Sequence, residues 1–319
     1  MKTGMSVAEP TGGRPVPGGR AGVTGPQAAV AGGMSDFVTL TKPRLNFLVL
    51  LTTLAGLYLA SPNGVPLGLL VHTLVGSALV AGGAAALNQA LEHRTDALMR
   101  RTRHRPVPGG RIGLAESIWF GLFLSAAGVG ELWLGANGVA AGVAAVTHLS
   151  YVLVYTPLKT RTSLSTLVGA VPGALPPVIG WAAASGEISL PAIVLFGIVF
   201  MWQMPHFLAI AWMYRDDYAA AGIPLLPVTE PDGRRTGRQA LLYAAALWPV
   251  SILPAVVGLA GVVYCVVATL LGIGFVGLAG SFARERSTAT AKRLFFFSIL
   301  YLPLLLLVLV VDRIWLQQP

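Results

Sequence analysis

"PLGLLVHTLVGSALVAGGAAALNQALEHRTDALMRRTRHRPVPGG", residues 66–110, decides the fold class. Residues 66–90 hold no acid, lysine or arginine. A run of about 20 apolar residues is long enough to cross a bilayer as a helix. The run then breaks into Glu92, Arg94 and Asp96, followed by Arg100, Arg101, Arg103, Arg105 and Arg111. A greasy segment that ends in dense charge is a membrane span meeting water.

Working outward, the same pattern recurs. The chain has 319 residues, 55% hydrophobic and 11% charged, against about 25% charged for a soluble domain. Nine apolar runs fall near 37–60, 66–90, 114–134, 137–157, 164–184, 190–213, 240–258, 262–280 and 294–311. Backbone groups in lipid must be satisfied within the segment, so the runs are read as helices. The ten-residue alternating segments of a membrane β-barrel are absent. The expected architecture is all-α, with about nine transmembrane helices around a central cavity that opens to the cytoplasmic side. Residues 1–35, rich in Gly, Pro and Ala, read as a disordered tail without a secretory signal. Residues 36–319 read as one transmembrane domain.

Of the 22 Lys and Arg, all but Arg313 fall in loops on one face when the runs alternate direction. The positive-inside bias makes that face cytoplasmic, with the N-terminus inside. The formal charge of +9 therefore points to orientation and anionic headgroups, not nucleic acid. The single cysteine, Cys265, excludes an intrachain disulfide and a thiolate metal cluster.

Asn88, Glu92 and Asp96 are spaced i, i+4, i+8. On a helix each step advances about 6 Å and drifts about 40°. The three oxygen-bearing side chains form one stripe at the cytoplasmic end of span two. Hard oxygen ligands suit Mg²⁺, which typically combines one or two carboxylates with phosphate oxygens. Arg101, Arg103 and Arg105 follow at once, and guanidinium forks match phosphate. A second acidic element, Asp216 and Asp217, sits after span six on the same face. Lys42 and Arg44 enter span one, and Lys159 and Arg161 leave span four, again on that face. They are placed to complete a cationic lid. Solvated loop acids and ordinary positive-inside anchoring are the plainer readings of each element taken alone.

Span six ends in "WQMPHFLAIAW", residues 202–212. Gln203 and His206 lie three residues apart on one helix face, and polar groups within spans tend to be functional. Contact to a cofactor ring, an iron ligand and a hydrogen bond to a neighbouring helix are the open readings of His206. His148 reads as packing. "GAVPGALPPVIGW", residues 169–181, carries Pro172, Pro176 and Pro177 and cannot be a straight helix. It is expected to wall the substrate cavity. A cytoplasm-facing cavity with a Mg²⁺–diphosphate site at its mouth and an apolar interior fits a polyprenyl diphosphate.

From "LTKPR" near residue 40 to the last span, the chain resembles the UbiA superfamily of intramembrane prenyltransferases. Within it, the likeness is to the branch that farnesylates protohaem IX. The carrying motifs are "DALMRRTRHRPVP", "YTPLK", "GAVPGALPPVIGW" and "WQMPHFLAIAWMYRDDYAAAGIPLLPV". The resemblance implies farnesyl diphosphate and haem B as substrates, haem O and diphosphate as products, and Mg²⁺ as cofactor. It implies a bacterial plasma-membrane location and an association with haem A synthase or terminal-oxidase assembly. The family's first acidic motif maps onto Asn88, Glu92 and Asp96, with Glu92 replacing an Asp and Arg94 standing where relatives often carry an acid. Asp217 matches the second acidic position, with Asp216 beside it. The expected metal ligands are Asn88, Glu92, Asp96 and Asp217, and the expected haem contacts are His206 and Gln203. The competing readings are a quinone-precursor or chlorin acceptor, a membrane transporter, and a non-catalytic haem-binding assembly factor.

Overall fold

The structure, a computed structural model, describes residues 32–316. The tail expected over residues 1–35 lies, as far as residue 31, outside them. Every regular element among the described residues is helical. The described residues open with α1 (Met34–Leu40) and α2 (Pro43–Leu59). Next come α3 (Leu67–Leu91), α4 (His93–Leu98) and α5 (Leu114–Gly135). Helix α6 (Gly138–Leu149) runs through a π-helical turn, Ser150–Tyr155, into α7 (Thr156–Leu158). The broken pair α8 (Ser165–Ala174) and α9 (Pro176–Ser185) follows, then α10 (Leu190–Met213). Two short helices, α11 (Arg215–Ala220) and α12 (Leu226–Thr229), lead into α13 (Arg234–Val256), α14 (Val262–Glu285) and α15 (Thr288–Leu316).

Eight of these segments have the length and hydropathy of a membrane crossing. The chain is a multi-pass membrane protein. The expected first span corresponds to α2, which is apolar but only 17 residues long. The structure extends three spans well beyond their expected limits, α14 among them, which ends at Glu285 rather than near 280. Helix α13 starts at Arg234 rather than near 240, and α15 runs from Thr288 to Leu316 rather than 294–311. Hydropathy fades where charge begins, whereas a helix keeps its backbone bonds as it leaves the hydrocarbon.

Helices associate in lipid by close packing, because hydrocarbon offers no hydrophobic drive between them. Small residues make that approach. Helix α3 lies on α5 along Gly76 and Gly83 on one side and Gly121 and Gly128 on the other; a Cβ on Gly128 would stand 2.7 Å from the Gly76 carbonyl oxygen. Helix α2 lies on α9 more tightly still. A Cβ on Gly56 would fall on the Pro177 carbonyl, and one on Gly180 on the Thr53 carbonyl. Helix α10 runs inside, touching α8, α9, α13 and α15, while α15 also meets α2. The bundle therefore closes on itself. Trp202, Leu195, Ile198, Phe275, Tyr301 and Leu305 belong to its largest apolar core.

The proline-rich stretch breaks at Leu175, as expected. Pro176 and Pro177 open α9 at positions where a missing N–H is tolerated. In mid-span His148 packs in the interior against Ser125 (Nδ1 to Oγ, 3.3 Å), in keeping with its structural reading.

Candidate active site

Glu92 sits at the junction between α3 and α4, so the stripe expected from the spacing persists across two helices. All three members are buried: Asn88 is 3% exposed, Glu92 5% and Asp96 0%. Burying carboxylates is unfavourable unless they are paired. Each member meets a cation from a different segment. Lys42 Nζ donates to Asn88 Oδ1 at 3.0 Å. Lys159 Nζ donates to both oxygens of Glu92, at 3.0 and 2.9 Å. Arg105 Nη1 donates to Asp96 Oδ2 at 2.6 Å. The Asn88 amide in turn donates to Thr156 Oγ1 at 3.3 Å.

Local backbone chemistry aims these groups. Lys42 caps α2 in the left-handed region, φ 48° and ψ 58°, a conformation uncommon for a residue with a side chain. Strain of this kind, of order 1–3 kcal/mol, concentrates at functional positions. The π turn at Ser150–Tyr155 adds a residue to one helical turn. Thr156 follows it, with its hydroxyl bonded to the Tyr151 carbonyl at 2.9 Å. π turns are rare and frequent at functional sites. This one precedes both Thr156, which holds Asn88, and Lys159, which holds Glu92.

The two lysines are tuned in opposite directions. Burial draws Lys42 down to about 7, with Arg105 and Lys159 pushing the same way against Glu92 and Asp96. Burial would also lower Lys159, but its ion pair with Glu92 outweighs that and holds the ammonium above the ordinary lysine value. The difference lies in the partner. Lys159 has a carboxylate, whereas Lys42 has only a neutral amide oxygen and lacks a full counter-charge.

The second acidic element is joined to the first. Met99, just beyond α4, shares a small buried cluster with Tyr218, Ala221 and Ile223. Arg100 Nε donates to Asp217 Oδ1 at 3.1 Å. Asp217 is 13% exposed at its side chain, whereas Asp216 is 84% exposed and only 3.9 Å from Arg215. Asp217 thus turns inward and Asp216 outward. Arg101 lies over the Tyr214 ring, 5.4 Å from its centroid. Arg100, Arg101, Met213, Tyr214, Asp216 and Asp217 line a cleft of about 400 Å³. Arg103 is exposed and donates to His104 Nε2 at 3.1 Å. Arg44 is exposed and forms no ion pair with the described residues.

Among the described residues no three of His, Cys, Asp and Glu are grouped as a metal cage. One oxygen nonetheless suits a hard cation: Asp96 Oδ1 is buried and has no hydrogen-bond partner among the described residues. A buried acceptor left bare is unfavourable. Mg²⁺ needs few protein ligands when phosphate oxygens complete its shell.

Gln203 and His206 share a helix face but reach different neighbours. Gln203 Nε2 donates to the Ala170 and Val199 carbonyls, both at 3.2 Å, tying α10 to α8 where Gly173 leaves room for its amide. His206 Nδ1 meets Ser298 Oγ of α15 at 2.7 Å. Its ring stacks on Trp202 and Phe295, at centroid distances of 4.9 and 5.1 Å.

Sequence reasoning missed Thr156, Tyr214 and Ser298. Thr156 sits inside "YTPLK", three residues before Lys159, so that signal was in view. A π turn carries no composition cue, and Ser298 lies in an unremarkable apolar run.

A closed bundle of membrane helices, with acids and cations buried together near one end, is a fold shared with solved membrane proteins. A digeranylgeranylglyceryl phosphate synthase structure superposes with a TM-score of 0.75, at 17% identity, covering 88% of this chain and 98% of that one. A UbiA homolog from Archaeoglobus fulgidus bound to GPP and Mg²⁺ gives 0.61, at 14% identity, covering 86% and 99%. At such identities the likeness is one of fold. The chain belongs to the UbiA prenyltransferase family, whose sequence model matches residues 49–300. It is 47% identical to a protoheme IX farnesyltransferase of Solibacter usitatus, over 88% of this chain and 99% of that one. A protoheme IX farnesyltransferase of Myxococcus xanthus is 45% identical, over 88% and 95%. The chain is a prenyltransferase, and the transporter and assembly-factor readings fall away.

Proposed function

We propose that this enzyme transfers the farnesyl group of farnesyl diphosphate to a vinyl group of haem B, giving haem O and diphosphate. The buried alternation of Lys42, Asn88, Lys159, Glu92, Arg105 and Asp96 carries the reading, because it suits a ligand that brings metal and phosphate oxygens together. Similarity to the protoheme IX farnesyltransferases selects the acceptor over a quinone precursor or chlorin.

Asp96, with Asn88, Glu92 and Asp217, would hold Mg²⁺. The Glu92 oxygens have lone pairs beyond the two that Lys159 engages. Mg²⁺ supplies Lewis-acid stabilisation of the leaving diphosphate. Lys42, Arg105 and Lys159 neutralise the same charge, with Arg101, Arg103 and Arg44 at the rim. As the allylic C–O bond breaks, diphosphate departs with the electron pair, and preorganised cations stabilise it in the transition state. The terminal vinyl carbon of the macrocycle attacks the allylic carbon. The new cation beside the ring takes a water, which loses a proton and becomes the hydroxyl. The apolar interior keeps other water from quenching the cation first. His206 and Gln203 line the haem side.

The basic face is assigned to the cytoplasm of a bacterial cell, with the chain in the plasma membrane and its N-terminus inside. An association with haem A synthase or terminal-oxidase assembly, which would consume haem O, belongs to the same proposal. Co-purification from membranes tests it.

Expression in a host lacking its own haem O synthase should make haem O appear among extracted haems. Glu92→Ala or Asp217→Ala should remove it. Normal haem O in both variants would discard the metal assignment, and none from the parent chain would discard the activity. Arg100→Ala should leave the melting midpoint nearly unchanged, since an exposed pair is worth about 0–1 kcal/mol. It should raise the KM for farnesyl diphosphate severalfold, and an unchanged KM would remove Arg100 from the site.

A further inference from the structure

Ser298 settles a proton position in His206. A serine hydroxyl has one proton to give. Ser298 Oγ gives it to the Phe295 carbonyl oxygen, 2.6 Å away. Toward His206, 2.7 Å away, the hydroxyl can therefore only accept, so His206 Nδ1 carries the hydrogen. In the neutral imidazole the other nitrogen, Nε2, is then a bare lone pair. Nε2 has no hydrogen-bond partner among the described residues, and the residue is only partly buried. The Trp202 and Phe295 rings both stack on the imidazole, tilted from it by 20° and 27°. Trp202 is itself fixed by a 2.7 Å bond from Nε1 to the Ser298 carbonyl. A metal binds imidazole in the ring plane, along the lone pair, a direction that stacking on the faces does not occupy. The stacked rings and the hydroxyl aim one nitrogen edge. Imidazole nitrogen suits iron, whereas Mg²⁺ prefers oxygen.

We infer that Ser298 holds His206 as its Nδ1–H tautomer and that His206 Nε2 is an axial ligand to the iron of the acceptor macrocycle. The site therefore selects a metalloporphyrin over the metal-free ring. The inference rests on the haem-acceptor reading and adds to it a named ligand atom and a positioning residue.

The test titrates the purified full-length protein with ferric haem B and, separately, with metal-free protoporphyrin IX, following the absorption and resonance Raman spectra. The parent chain and Ser298→Thr, which keeps the hydroxyl, should show imidazole-ligated iron and bind haem at least about tenfold tighter than the metal-free ring. His206→Ala should lose both the signature and the preference. Ser298→Ala should keep the melting midpoint and weaken haem binding about 10–100-fold, the usual effect of losing a partner that orients a ligating histidine. Identical haem spectra in the parent and His206→Ala overturn the inference. So does Ser298→Ala binding haem as the parent does. Incubation with farnesyl diphosphate separates the two levels. Farnesylated product without His206 ligation overturns this inference alone, and ligation without any product overturns the reaction assignment alone.

Discussion

Asp96→Asn should lower kcat/KM for prenyl transfer by about two to three orders of magnitude, the size of effect seen when a preorganised electrostatic contact is lost. It should also destabilise the protein by about 3–5 kcal/mol, because removing one member of a buried ion pair strands the other. Asp96 is 0% exposed and receives Arg105 at 2.6 Å. With an amide at position 96, the Arg105 charge remains in a poorly solvated place without its counter-ion. The two effects come apart in a double substitution. Asp96→Asn with Arg105→Gln removes the stranded charge and should recover most of the thermal midpoint. Activity should stay at the level of the single variant or below, since both the oxygen proposed to face the metal and the cation proposed to face phosphate are gone. Recovery of activity together with stability would mean that the pair only props the fold. Melting curves and steady-state kinetics on the four proteins decide between these outcomes.

Gly56→Ala and Gly180→Ala should each be severely destabilising, and together should abolish a folded, monodisperse species in detergent. Most overpacked cores yield by shifting a side chain, at about 1–3 kcal/mol. Here the obstacles are backbone carbonyls, of Pro177 and Thr53, and no rotamer relieves them. Helices α2 and α9 would have to separate, which gives up the close approach that binds helices in lipid. The damage would reach the site, since α2 starts at Pro43 and Lys42 is its cap. Gly142→Ala is the control, because a Cβ there meets nothing within 4 Å. Size-exclusion profiles and melting midpoints indistinguishable from the parent in the Gly56 and Gly180 variants would refute the α2–α9 contact.

The candidate site was legible in part. The spacing of Asn88, Glu92 and Asp96 placed three oxygen-bearing side chains on one stripe, and all three are buried. The choice between Asp216 and Asp217 was not legible. Adjacent residues on a helix point apart, and only the packing of α11 under Met99 shows which one turns inward. The lysines read equally well as membrane anchors. Their role becomes visible when Lys42 lies against Asn88 and Lys159 against Glu92. Gln203 and His206 were paired by their spacing, yet the bundle gives them different neighbours, Ala170 and Ser298.

By itself the sequence determined the helical class, the membrane setting and the near limits of the spans. Those properties depend on hydropathy and charge summed over neighbouring residues, and the chain carries them whatever its tertiary arrangement. Only the tertiary structure decided which cation answers which acid. Lys42 reaches Asn88 across 46 positions, Lys159 reaches Glu92 across 67, and Arg100 reaches Asp217 across 117. It also set the π turn before Thr156 and the hydroxyl that orients His206. Each requires helices distant in sequence to approach within hydrogen-bonding distance. That approach is fixed by glycine contacts and broken helices between segments, which no local pattern encodes.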